Sequence, residues 1–192
     1  GQCGAPTITT SNNQKLEVGN SFKISWSKPT TPTGVTFKYN VYLNNGTTNS
    51  LVAENLTTTS YTIPANKLNK TGTYTISVIA MATDYTQSDD DDASINLTVT
   101  EVQENPDLTS VSGSVNGTVA TFTVKGNADA KYGIVLYADG YKLDMISWNK
   151  SGTSTVTYTG RHTFNQTGTR SIEVYALDKD GNEVSGSKVR SV

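Results

Sequence analysis

The chain has 192 residues, with 15 Lys and Arg against 17 Asp and Glu, a formal charge of −2. No basic surplus is present to hold a nucleic acid or an anionic bilayer, and no apolar run approaches the roughly 20 residues of a membrane helix. One cysteine excludes an internal disulfide, and one cysteine with one histidine excludes a zinc centre built from those residues.

The chain opens Gly1-Gln2-Cys3-Gly4 without an initiator Met, so it reads as a segment of a longer protein. Cys3, near a start expected to be flexible, is either a dispensable thiol or the mark of a processed, lipidated N-terminus. Period-2 alternation then recurs, and helical faces do not. Phe22, Ile24 and Trp26 alternate with Lys23 and Ser25. Phe37, Tyr39, Val41 and Leu43 alternate with Lys38, Asn40 and Tyr42. Tyr74, Ile76, Val78 and Ala80 follow, then Ile95, Leu97 and Val99. Turn signals separate them at Lys28-Pro29, Asn45-Gly46 and Thr71-Gly72. About seven short strands in about 100 residues is the pattern of a β-sandwich.

Residues 101–107, EVQENPD, are polar and carry a proline, which marks a domain boundary. The expected domains are 1–101 and 106–192, joined by the short linker 102–105. Beyond it the same logic returns. Phe122 and Val124 share a strand, and 134–137 form the next. Asp139-Gly140 signals a two-residue hairpin turn. Ile172, Val174 and Ala176 form a late strand, Asp180-Gly181 a turn, and Val184 to Val189 a last strand. The fold class is all-β, with two tandem antiparallel sandwiches.

The halves match each other. LNKTGTYTISVIA from Leu68 aligns without gaps to FNQTGTRSIEVYA from Phe164, at an offset of 96, and the Val41 and Val135 blocks align at 94. The period is too long for a solenoid, so each unit should own a core.

Ile24-Ser25-Trp26, the strand from Tyr39 to Leu43, the run from Thr59 to Ile63, and Leu68 followed six residues later by Tyr74 carry a family pattern. On them the first half resembles a fibronectin type III domain. That resemblance implies a core Trp26 and a tyrosine corner, in which the Tyr74 phenol bonds back to the backbone. The second half is similar to bacterial immunoglobulin-like and fibronectin-like modules of extracellular proteins, through residues 172–182. It departs at Arg170, where the corner tyrosine is missing. The resemblance implies a spacer, adhesion unit or accessory domain of a polysaccharide-active enzyme. The chain is expected to be secreted or at the cell surface, lipid- or wall-anchored, and monomeric.

Candidate chemistry is sparse. His162 stands without a nucleophile elbow, so no catalytic residue and no cofactor is expected. Asp89, Asp90, Asp91 and Asp92 are a weak calcium candidate. Adjacent side chains on an extended segment alternate in direction, and a solvated acidic loop is the expected state. Asp178, Asp180 and Asn182 begin like a calcium loop but lack its glycine and distant glutamate, so a turn is expected. Aromatic rings stack on sugar faces, which makes Tyr137, Tyr141 and Trp148 candidate carbohydrate contacts, with Trp148 expected to be exposed in its polar stretch. Seven Asn-x-Ser/Thr sequons, the first at Asn45, only slightly exceed chance. Few Arg against many Lys, Asn and Tyr point to an AT-rich bacterial genome, where those sequons stay bare. The leading expectation is a non-catalytic extracellular module pair. The alternative is an accessory carbohydrate-binding region, with a polysaccharide or a protein at the cell surface as partner.

Overall fold

The computed structural model describes residues 1–186 and the backbone of 189–191. Two compact units divide the chain, Gly1–Gln103 and Glu104–Val192.

Unit one holds β1 (Thr7–Ile8), β2 (Gln14–Glu17), β3 (Phe22–Ser27), β4 (Lys38–Asn44), β5 (Asn49–Leu56), β6 (Ser60–Ile63), β7 (Gly72–Met81) and β8 (Ser94–Thr100). One sheet runs β1-β3-β6 and the other β2-β8-β7-β4-β5. The alternation read from the sequence sets the inner face. Ile24, Val41, Ile63, Leu68, Ile76, Val78 and Leu97 are fully enclosed, and the polar residues between them face out. Trp26 lies edge-on to Tyr39 with ring centroids 5.4 Å apart. The Tyr74 hydroxyl donates to Lys70 O at 2.7 Å, so the corner is formed.

Two expectations for this unit need correction. The sandwich is not wholly antiparallel, because β2 runs parallel to β8. The first strand is broken: β1 pairs with β3, then the chain crosses to the opposite sheet. Asn13 permits the crossing with φ of 57°, a region that Asn tolerates better than most residues. Asn12 Oδ1 pins it by accepting from Asn13 N at 2.9 Å and Asn96 N at 2.8 Å. Nor is the start of the chain loose. Cys3 N donates to Thr86 O, and Thr86 N donates to Gly1 O, both at 2.9 Å. The Cys3 thiol is buried in the core of unit one.

Unit two holds β9 (Leu108–Asn116), β10 (Val119–Asn127), β11 (Ile134–Ala138), β12 (Tyr141–Lys142), β13 (Asn149–Ser151), β14 (Thr155–Thr163), β15 (Ile172–Ala176) and β16 (Val189–Ser191). The sheets run β13-β14-β10-β9 and β12-β11-β15-β16. Their inner faces meet through Phe122, Val124, Leu136, Val156, Tyr158 and Val174. This is the strand arrangement of an immunoglobulin-like sandwich, and both units belong to that all-β class. Of the strand expected over Val184 to Val189, Ser187 and Lys188 lie outside the described residues, Val184 to Gly186 are not strand, and Val189 opens β16. The only helical turns among the described residues are single 3-10 turns at Ala65–Lys67 and Asp90–Asp92.

Candidate functional site

A densely bonded polar cluster of unit two sits where the chain comes into it. Glu104 accepts from the Tyr132 hydroxyl at 2.6 Å and pairs with Lys131 Nζ at 3.1 Å. Asn105 N donates to Asp129 Oδ2 at 3.0 Å. Asn127 works in both directions: its Nδ2 donates to Asn105 O at 2.8 Å, and its Oδ1 accepts from Asp107 N at 3.1 Å. Pro106, between them, is buried. Gly126 lets the segment lie flush, since a Cβ there would stand 2.8 Å from Asp107 O and 2.6 Å from Ala130 Cβ. The Tyr132 hydrogen bond, then Lys131, holds the Glu104 carboxyl below its usual range. The same carboxylate raises the Tyr132 phenol and the Lys131 ammonium. Residues 104 and 105, expected in the linker, are thus fixed parts of unit two.

The three aromatic candidates stand apart. Tyr137 pairs with Lys142 across the β11–β12 hairpin, whereas Tyr141 pairs with the buried Ala138. Directly opposed residues share a face, so Tyr137 and Tyr141 project from opposite faces of the sheet. Asp139 and Gly140 make the expected turn, both at positive φ, 50° and 84°. Tyr141 is 78% exposed. Trp148, expected to be exposed, is half-buried. It packs on Phe122 with centroids 6.5 Å apart and fills the space that Gly160 leaves, where a Cβ would come within 2.7 Å of the indole. The partner of Tyr137 is Tyr175, edge-on at 5.7 Å and not singled out by the sequence. The Tyr137 hydroxyl donates to Glu183, which raises its pKa, and the Tyr175 hydroxyl donates to Glu173 at 3.3 Å. Two rings and two carboxylates therefore share the outer face of β11 and β15.

The acidic run does not stay extended. Asp90–Asp92 form a 3-10 turn with Asp89 preceding it, and all four side chains are exposed. The turn forms without glycine because Ser88 anchors it: buried Ser88 Oγ accepts from Ala80 N at 2.8 Å. Among the described residues no group of three or more His, Cys, Asp or Glu gathers around a common point. The Asp178 carboxylate is spent on its own turn, accepting from Asp180 N and Asn182 N at 2.9 Å each. His162 packs edge-on against Phe164 at 4.6 Å.

Arg170 occupies the position of the missing corner tyrosine. Its Nη2 donates to Gln166 O at 3.0 Å, four residues back, as Tyr74 does to Lys70 O. The guanidinium also lies 4.4 Å from the Phe164 ring, the residue that aligns with Leu68.

No family model and no curated protein matches the chain. Solved structures do. SGBP-B of the Bacteroides ovatus mixed-linkage glucan utilization locus, in complex with a mixed-linkage heptasaccharide, is 12% identical with a TM-score of 0.35. The match covers 100% of this chain and 48% of that one. A marsupial T cell receptor is 9% identical with a TM-score of 0.34, covering 97% of this chain and 61% of that one. The chain spans about half the length of SGBP-B.

Proposed function

We propose that the chain is a non-catalytic extracellular module pair, a spacer, presentation or adhesion unit of a larger secreted or surface protein of bacterial origin. The observation that carries this reading is the bonded segment at the start of unit two. A spacer has to fix where the next module begins, and residues 104–107 spend their polar groups on unit two for that purpose. The fibronectin type III resemblance of the first half supports the same reading. The test is backbone relaxation. Order parameters at 104–107 should match those of the strands, about 0.85, and values below about 0.6 would remove the argument. Release of new reducing ends from any polysaccharide by the purified chain would overturn the non-catalytic part.

A second reading is an accessory carbohydrate-binding region. The Tyr137–Tyr175 pair favours it, because a ring face offers an apolar stacking surface while Glu173 and Glu183 accept from sugar hydroxyls. Affinity electrophoresis in neutral glycan gels tests it. Retardation lost in Tyr137→Ala supports this face as the platform, and no retardation in any gel counts against it.

A further inference from the structure

The end of unit two formed by the β9–β10 hairpin and the β14–β15 loop departs from the matching end of unit one. There Leu68 and Tyr74 are buried in the core. At the 96-residue offset stand Phe164 and Arg170, both only half-buried. Beside them opens a cavity of about 300 Å³, with Phe122, Phe164 and Ile172 as apolar wall and Thr118, Gln166 and Thr169 as hydroxyl and amide rim next to Arg170. A second hollow shares Phe164, Gln166 and Arg170 and adds His162 and Asn165. A third, across the hairpin, shares Val115 and adds Arg161. None of the three is lined by an aspartate or a glutamate, although the chain carries more acids than bases.

We propose that this cleft binds a carboxylate-bearing saccharide, one hexuronic acid ring of an acidic polysaccharide, with the carboxylate on Arg170 and the ring against the phenylalanine wall. The inference rests on the carbohydrate-binding reading of unit two and names a different site and a narrower ligand class. The guanidinium has five donors. One serves Gln166 O, and the 3.5 Å contact of Nη1 with Asp139 is a weak, part-exposed pair. Donors therefore remain for a bidentate carboxylate. A cavity this size is at the small end of ligand sites and suits one sugar ring. An inorganic anion would leave the apolar wall empty, and a neutral ring would bring no carboxylate to the remaining guanidinium donors. An aspartate or glutamate side chain has no ring to fill the space.

The test is calorimetry on the whole chain with oligouronates, namely galacturonate, glucuronate and alginate oligomers. Methyl-esterified oligogalacturonate, neutral oligosaccharides and polyglutamate serve as controls. Binding of an oligouronate is expected, weakened at least about tenfold by Arg170→Gln and by loss of the carboxylate, and unchanged in Tyr137→Ala. Arg170 also holds the corner, so Val115→Glu is the companion variant. Val115 is 71% exposed on the rim, and a carboxylate there should repel the ligand with the circular dichroism spectrum intact. Equal binding of polyglutamate would reduce the site to a basic patch and overturn the saccharide. Binding of neutral sugars only, lost in Tyr137→Ala, would overturn the cleft and leave the carbohydrate reading standing. Failure of every glycan to bind would end both.

Discussion

Tyr74 and Arg170 satisfy the same backbone carbonyl, one repeat apart, with different chemistry. Tyr74→Phe leaves Lys70 O without its donor and should cost about 1 kcal/mol in denaturant unfolding of unit one. Arg170→Leu should cost unit two about as much, and Arg170→Tyr should recover most of it, since a phenol at that position reaches the same oxygen. Trp26→Ala empties a core position and should cost about 3–5 kcal/mol. Negligible losses at Tyr74 and Trp26 would contradict the packing described. Trp26 and Tyr74 were legible in the sequence because the spacing around them is specific. Arg170 read as a missing corner because residue identity was matched, not the reach of a donor. The faces of Tyr137 and Tyr141 were also open to inference: a two-residue turn at Asp139-Gly140 forces Ala138 opposite Tyr141, on the inward side.

At the scale of elements, the segment 104–107 matters most. Asn127→Ala removes three side-chain hydrogen bonds, to Asn105 O, Asp107 N and Ala130 N. It should destabilise unit two by about 2–3 kcal/mol, measured by urea unfolding. The Glu104 contacts add a pH dependence. Its carboxyl is lowered in the folded state by Tyr132 first and Lys131 second. The unfolded chain therefore takes up that proton at higher pH than the folded one. The contribution is complete above the ordinary carboxylate range and is lost as pH falls through the lowered folded value. Tyr132 is raised and behaves oppositely: its contribution is present below the ordinary phenol range and is lost as pH climbs through the raised value. Stability of wild type minus Tyr132→Phe, plotted against pH, should therefore shrink at both ends, and a flat difference would contradict the assignment. Several strands that face a core on alternate residues were legible. Others were not, β9 and β14 among them. β9 is an edge strand with one buried residue, Leu108. β14 interrupts its apolar register with Gly160, where Trp148 and Ile146 supply the missing side chain from outside the strand.

At the scale of the molecule, each unit has its own core, so fragments 1–103 and 104–192 should each give a dispersed NMR spectrum of a folded domain. A cut two residues later, giving 106–192, strips Glu104 and Asn105 and should lower the melting temperature of unit two. Equal melting of the two versions would place those residues in a passive linker. Charge is also divided. Residues 1–105 carry six Lys against nine acids, and 106–192 carry nine bases against eight. The exposed run Asp89 to Asp92 supplies much of that difference, and an exposed charge patch acts over about a Debye length and fades with salt.

The two tryptophans fall one to a unit, which makes each domain separately visible by its own light. Trp26 sits in the core, 3% exposed, and among the described residues its indole nitrogen meets no hydrogen-bond partner. Its emission should be blue and structured. Trp148 is half-buried and packs over Gly160 at the margin of its core, so its emission should fall at longer wavelength. Heating the intact chain while recording both ends of the spectrum should resolve two unfolding steps, the blue one removed by Trp26→Phe and the red one by Trp148→Phe. A single shared transition at every wavelength would instead show that the two domains melt as one cooperative body.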